Sequence, residues 1–93
     1  MADNYKMLTN DELDEIESRV SKASNGPWIS YVEGRDHTSG SDFIMTGIDS
    51  SRGEDIELTG ATIHDQDFIA NARQDVPRLL EEVRYLRKQL GMT

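Results

Sequence analysis

One short stretch gathers side chains able to do chemistry. Arg35, Asp36, His37, Ser39 and Ser41 all fall in the polar run from Gly34 to Ser41. A hydroxyl nucleophile needs an imidazole base, and the base needs a carboxylate to orient it. All three types are present. Residues adjacent on one loop seldom build such a triad, because working triads draw their members from separate, rigid elements. The expectation is therefore not an enzyme. Another chemistry open to the loop is capture of a small anion by glycine-exposed N–H groups and the Arg35 guanidinium. The loop is thus one candidate binding surface, carried by Arg35, Asp36, His37 and Ser39.

Metal chemistry is weakly supported. His64-Asp65-Gln66-Asp67 sets carboxylates beside an imidazole, and Asp36 stands beside His37. A closed site needs four ligands in constrained geometry, and the chain has only two histidines and no cysteine. Asp65 is explained more simply as a helix cap. No metal and no cofactor is expected. The glycines form neither a dinucleotide fingerprint nor a phosphate loop, and no HExxH or CxxC occurs. Trp28, the only tryptophan, directly follows a proline. It reads as a core residue pinning a helix to a sheet rather than as an exposed anchor. Arg73 is expected to neutralise Asp75 or Asp67.

Charge supplies the second candidate surface. The 93 residues carry a formal net charge of −8. Residues 1–60 hold 13 acids and 5 bases, whereas residues 61–93 hold 5 of each. So acidic a chain is a poor ligand for bare nucleic acid, which needs a Lys/Arg surplus. Two consequences are compatible. The acidic first helix can pack near the basic last helix of its own or a sister chain. Its acidic face, with Asp14 and Glu17, can also steer a basic partner protein.

The elements that must position these groups follow from periodicity. Thr9 and Glu12 have capping-box spacing, and Leu13, Ile16, Val20 and Ala23 form one apolar stripe behind them. Asn25-Gly26-Pro27 stops that helix. Trp28–Val32, Phe43–Ile48 and Asp55–Thr59 read as three strands. In the last, Ile56 and Leu58 point inward while Asp55 and Glu57 face water. Short polar links argue an antiparallel meander. Asp65 then caps a short helix carrying Phe68, Ile69 and Ala72. Asp75 caps a longer one with Pro77 in its first turn, so a break or kink is expected between Gln74 and Pro77. Leu79, Val83, Leu86 and Leu90 form a heptad seam, widened by Val76 and Leu80. Two heptads are too few to specify a coiled coil, but the seam suits pairing in a homo-oligomer.

Two stretches carry a resemblance. Ala23-Ser24-Asn25-Gly26-Pro27-Trp28 is similar to the A-T-P-G-P-W stretch closing the first helix of many small phage and prophage proteins. Asp67-Phe68-Ile69-Ala70-Asn71-Ala72-Arg73 with Asp75-Val76-Pro77-Arg78-Leu79-Leu80-Glu81-Glu82-Val83 resembles their D-x-x-F-I-A-x-A-R-x-D-V-P-x-L-L-x-E-V tail. The set includes Ead-like proteins of lambdoid prophages and short products of actinophages and Bacillus phages. The resemblance implies phage or prophage origin and supplies no catalytic residues.

The expected fold is one α+β domain over residues 1–93, with residues 1–8 as a flexible arm. An N-terminal helix leads into a three-stranded antiparallel meander and a kinked C-terminal helical segment, the helices lying on one face of the sheet. No apolar run approaches the roughly 18 residues of a membrane span, and the N-terminus lacks a signal-peptide layout. A cytoplasmic location is expected, without disulfides. Three non-enzymatic functions compete: an inhibitor or decoy of a host or competitor protein, an immunity protein or antitoxin, and a sponge for a small nucleotide ligand.

Overall fold

The computed structural model describes residues 5–92. Helix α1 spans Asn10–Lys22, strand β1 Trp28–Tyr31, strand β2 Phe43–Thr46 and helix α2 Ile63–Gln89. A single 3-10 turn, Asp49–Ser51, follows β2. The fold is α+β. None of the described helices is long and apolar enough to cross a membrane.

Helix α1 starts as its spacing dictates. The Thr9 hydroxyl accepts the Glu12 N–H at 3.0 Å, and the Glu12 carboxylate accepts the Thr9 N–H at 2.8 Å. This reciprocal pair satisfies two of the N–H groups a helix start leaves free. Leu13 is fully buried.

β1 and β2 pair antiparallel, with Trp28 opposite Thr46 and Tyr31 opposite Phe43. The expected third strand is not formed. Its segment reaches β2 through one bridge, where Ile44 and Ile56 exchange both backbone hydrogen bonds at 2.8 and 2.9 Å. The ladder fails beyond it because the chain turns too tightly after β2. Gly53, not Glu54, donates to the Thr46 carbonyl (2.8 Å), while the Thr46 hydroxyl donates to the Glu54 carbonyl (2.8 Å). The expected alternation survives: Ile56 and Leu58 are half-buried, Asp55 and Glu57 exposed.

Of the expected break or kink between Gln74 and Pro77, the break is absent. α2 is one helix of 27 residues with Pro77 inside it. Proline in a helix interior removes a hydrogen bond and costs about 3 kcal/mol. The contacts that hold the preceding turn offset this cost. Gln74 bonds the backbone of Trp28, and Arg73 Nε donates to the Ser24 carbonyl at 2.9 Å. Arg73 thus pairs with neither Asp75 nor Asp67. The cap differs too: Thr62 is the N-cap and Asp65 its partner three residues on, in a second capping box.

α2 runs along the sheet, chiefly along β1, and buries Gln66, Ala70 and Leu80. α1 docks on α2 and makes no close backbone contact with either strand. The result is a long molecule, 51 × 33 × 19 Å, with a radius of gyration of 16.8 Å. A compact chain of this length would have a radius of about 12 Å.

Candidate functional site

The 33–40 loop is stapled to the body by the residues that suggested chemistry. Asp36 Oδ2 accepts the Val32 N–H at 2.8 Å and Arg35 Nε at 2.9 Å. The Arg35 guanidinium also reaches α2, where it grips Asp67 in a fork at 2.8 and 3.1 Å. Bidentate pairing of this kind fixes orientation as well as charge. Hydrogen bonds from Arg35 draw the Asp67 carboxyl down to about 2, helped by one from Ser30. Asp36 is lowered by the hydrogen bonds from Arg35 and from the Val32 backbone. Arg35 is correspondingly raised by Asp67 and Asp36.

His37 does not form a triad with its neighbours. Its Nδ1 takes the Ser39 N–H at 3.0 Å and lies 2.5 Å from the Ser39 hydroxyl. The Asp36 carboxylate serves Val32 and Arg35 instead. The imidazole packs edge-on against Phe43 at 5.2 Å, and Phe43 stacks on Tyr31 at 5.3 Å. Its Nε2 is buried without a hydrogen-bond partner. The donors imagined for an anion are engaged as well. The Gly34 N–H goes to the His37 carbonyl, and the Gly40 N–H to the Glu33 carboxylate. Arg35, Asp36, His37 and Ser39 are therefore brought together, but as a knot that anchors the loop to β1 and α2.

Asp14 and Glu17 also come together, at one guanidinium. Arg84 Nη2 lies 2.9 Å from a carboxylate oxygen of each. This is the expected pairing of the acidic first helix with the basic last one, made within a single chain. Both acids raise Arg84, Asp14 through the larger effect. Yet the Asp14 and Glu17 side chains remain 68% and 61% exposed. One guanidinium against two carboxylates leaves the patch negative, and the exposed Asp11 and Glu15 stand on the same helix.

The seam residues divide. Leu79, Leu86 and Leu90 are exposed and Val83 half-buried, whereas Leu80, expected to widen the seam, is buried in the protomer.

Three residues organise this region in roles the sequence does not assign them. The Asp67 carboxylate holds Arg35 across 32 positions of sequence. Gln66 is buried, and its Nε2 lies near Ser30 Oγ and the carbonyls of Tyr31 and Phe43 at 2.9, 3.2 and 3.3 Å. Gln74 braces Trp28. The one available signal was spacing: Gln66, Ala70, Arg73 and Gln74 share one face of α2 at intervals of four, three and one.

A depression of about 450 Å³ lies between β1 and α2, lined by Ser30, Arg35, Asp67, Asn71 and Gln74 among others. Its one cation is already neutralised by Asp67 and Asp36. Comparison with known proteins finds no matching family model, curated protein or solved structure.

Proposed function

We propose that the chain is a non-enzymatic accessory protein of phage or prophage type that binds a host or competitor protein, as inhibitor or decoy, through the acidic face of α1. The carrying observation is the geometry around Arg84. Two carboxylates converge on one guanidinium and stay open to water, beside the exposed Asp11 and Glu15. Such a surface recruits a basic partner by long-range attraction and sets register more than raw affinity. The prophage resemblance supports the reading, since its two stretches form one structural unit here. Ser24 from the first is held by Arg73 from the second, and Trp28 is braced by Gln74, which joins the second stretch's two blocks.

An immunity protein or antitoxin that plugs a basic toxin would use the same surface. A nucleotide sponge is less favoured, because the β1–α2 depression offers no unpaired cation for a phosphate.

The test is capture from host lysate, with mass spectrometry of both retained proteins and retained small molecules. A protein partner released by raising salt supports the reading, because exposed charges are screened beyond about 10 Å at 0.1 M. Retention of a nucleotide with no protein partner would overturn it.

A further inference from the structure

The continuity of α2 changes what its exposed side can do. With no break at Pro77, one register runs from Ile69 to Leu90. Ile69, Ala72, Val76, Leu79, Val83, Leu86 and Leu90 follow one another at spacings of three and four, in strict alternation. That is three full heptads, enough to specify a coiled coil. The protomer does not bury this stripe: Leu79, Leu86 and Leu90 are 63%, 50% and 74% exposed. Residues Tyr5, Met7 and Leu8 border its C-terminal end but leave Leu86 and Leu90 open.

We propose that α2 pairs with α2 of a second copy as a parallel, two-stranded coiled coil in the register Ile69–Leu90. Three observations commit to that occupant. The first is the choice of apolar residues. Three of the four a positions hold β-branched Ile69, Val76 and Val83, with Leu90 at the last, and two of the three d positions hold Leu79 and Leu86, with Ala72 at the first. β-Branched residues at a with leucine at d favour two parallel strands.

The second is charge on the flanks. Asp75 and Glu82 fall at g, and Arg73 and Arg87 at e, with Leu80, buried in the protomer, at the e position between them. Parallel pairing sets Glu82 of one copy against Arg87 of the other. Antiparallel pairing centred on the seam sets Asp75 against Glu82 and Arg73 against Arg87, like charge on like charge. Arg87 already donates to the Leu8 carbonyl at 2.7 Å, yet a guanidinium has five N–H donors and keeps some for a partner.

The third is area. The accessible surface is 7146 Å², against about 5,400 Å² for a compact chain of this mass. The surplus exceeds the roughly 800 Å² that each partner contributes to a standard interface. This pairing uses a face of α2 apart from the acidic patch of α1, so it stands whether or not that patch binds a protein.

The full-length chain tests it directly. Sedimentation equilibrium of the unaltered protein should give twice the 10.5 kDa chain mass. Leu90→Cys, in a chain with no other cysteine, should oxidise to a covalent dimer. In the antiparallel arrangement the two copies of residue 90 would lie about 30 Å apart and could not bridge. Leu79→Lys should convert the protein to monomer with its helical circular dichroism retained, since Leu79 is mostly exposed in the protomer. A monomer mass for the unaltered protein overturns the proposal. So does a trimer or tetramer, a dimer that Leu90→Cys fails to cross-link, or a dimer that Leu79→Lys leaves intact.

Discussion

Gln74 holds Trp28 by both backbone polar groups. Its Oε1 accepts the Trp28 N–H at 2.7 Å, and its Nε2 donates to the Trp28 carbonyl at 3.1 Å. A side-chain amide thus takes the place of a neighbouring strand along the edge of β1. It also fixes where α2 lies relative to the sheet, and therefore where Asp67 meets Arg35.

Gln74→Ala leaves two part-buried backbone groups without that partner. The expected loss is about 1–3 kcal/mol. Urea unfolding followed by the single tryptophan measures it at the site itself. A midpoint unchanged from the parent would show that water replaces the amide without cost.

The Arg35 staple sets an acid limit. The folded form holds the Asp67 carboxyl at about 2, below its ordinary 3.8. A carboxyl depressed on folding stabilises the folded state above its unfolded value, and the contribution is lost as pH falls through the folded value. Anchorage of the 33–40 loop should therefore be complete above about pH 4 and be released towards pH 2. Amide NMR of Val32 to Gly40 reports it. Asp67→Asn should flatten the titration in that window, and an unaltered titration would contradict the pairing.

Gly47 sits at φ 70°, where a Cβ would lie 2.1 Å from the Ser51 carbonyl oxygen. Gly47→Ala must shift the whole turn after β2. The expected cost exceeds about 1–2 kcal/mol, from the left-handed backbone alone. That corresponds to a fall in melting temperature of at least 4–8 °C, roughly, for a domain of this size. Calorimetry measures it.

Pro77 interrupts the backbone ladder of α2 without ending the helix. Pro77→Ala restores an N–H opposite the Arg73 carbonyl. Stability should rise by about 1–3 kcal/mol, read from the urea midpoint. A fall would mean that the pyrrolidine ring packs for more than the missing bond costs.

Local chemistry was legible in the sequence where it involved neighbours in the chain. The Thr9–Glu12 box and the Leu13 stripe are found as spaced. The same rule applied to Thr62 and Asp65 would have placed the start of α2, but Asp65 alone looked sufficient as a cap. The helix does not break at Pro77 because the local breaking tendency is outweighed by contacts from Gln74 and Arg73 to residues nearly 50 positions away. Continuity through Pro77 also lengthens the seam, since a helix broken there has only two heptads. Ile56 and Leu58 alternate as a strand should, yet pairing depends on the partner's register, which the Gly47 turn diverts. In the loop, Arg35, Asp36 and His37 are legible as a cluster, whereas the pairing of Arg35 with Asp67 is not. Their meeting depends on how α2 lies over β1, and nothing local encodes that.

A functional contact through the acidic face of α1, as proposed, requires that charge reversal there weaken binding. The most direct measurement is the affinity for the captured partner as a function of salt, for the parent and for Asp11→Lys combined with Glu15→Lys. Both side chains are exposed and outside the Arg84 cluster, and because Asp11 lies in the first turn of α1 the variant should lose only about 1 kcal/mol of stability through the helix dipole. Binding should be at least about tenfold weaker in the variant, with a shallower salt dependence. Equal affinity and an equal salt slope in the two proteins would contradict it.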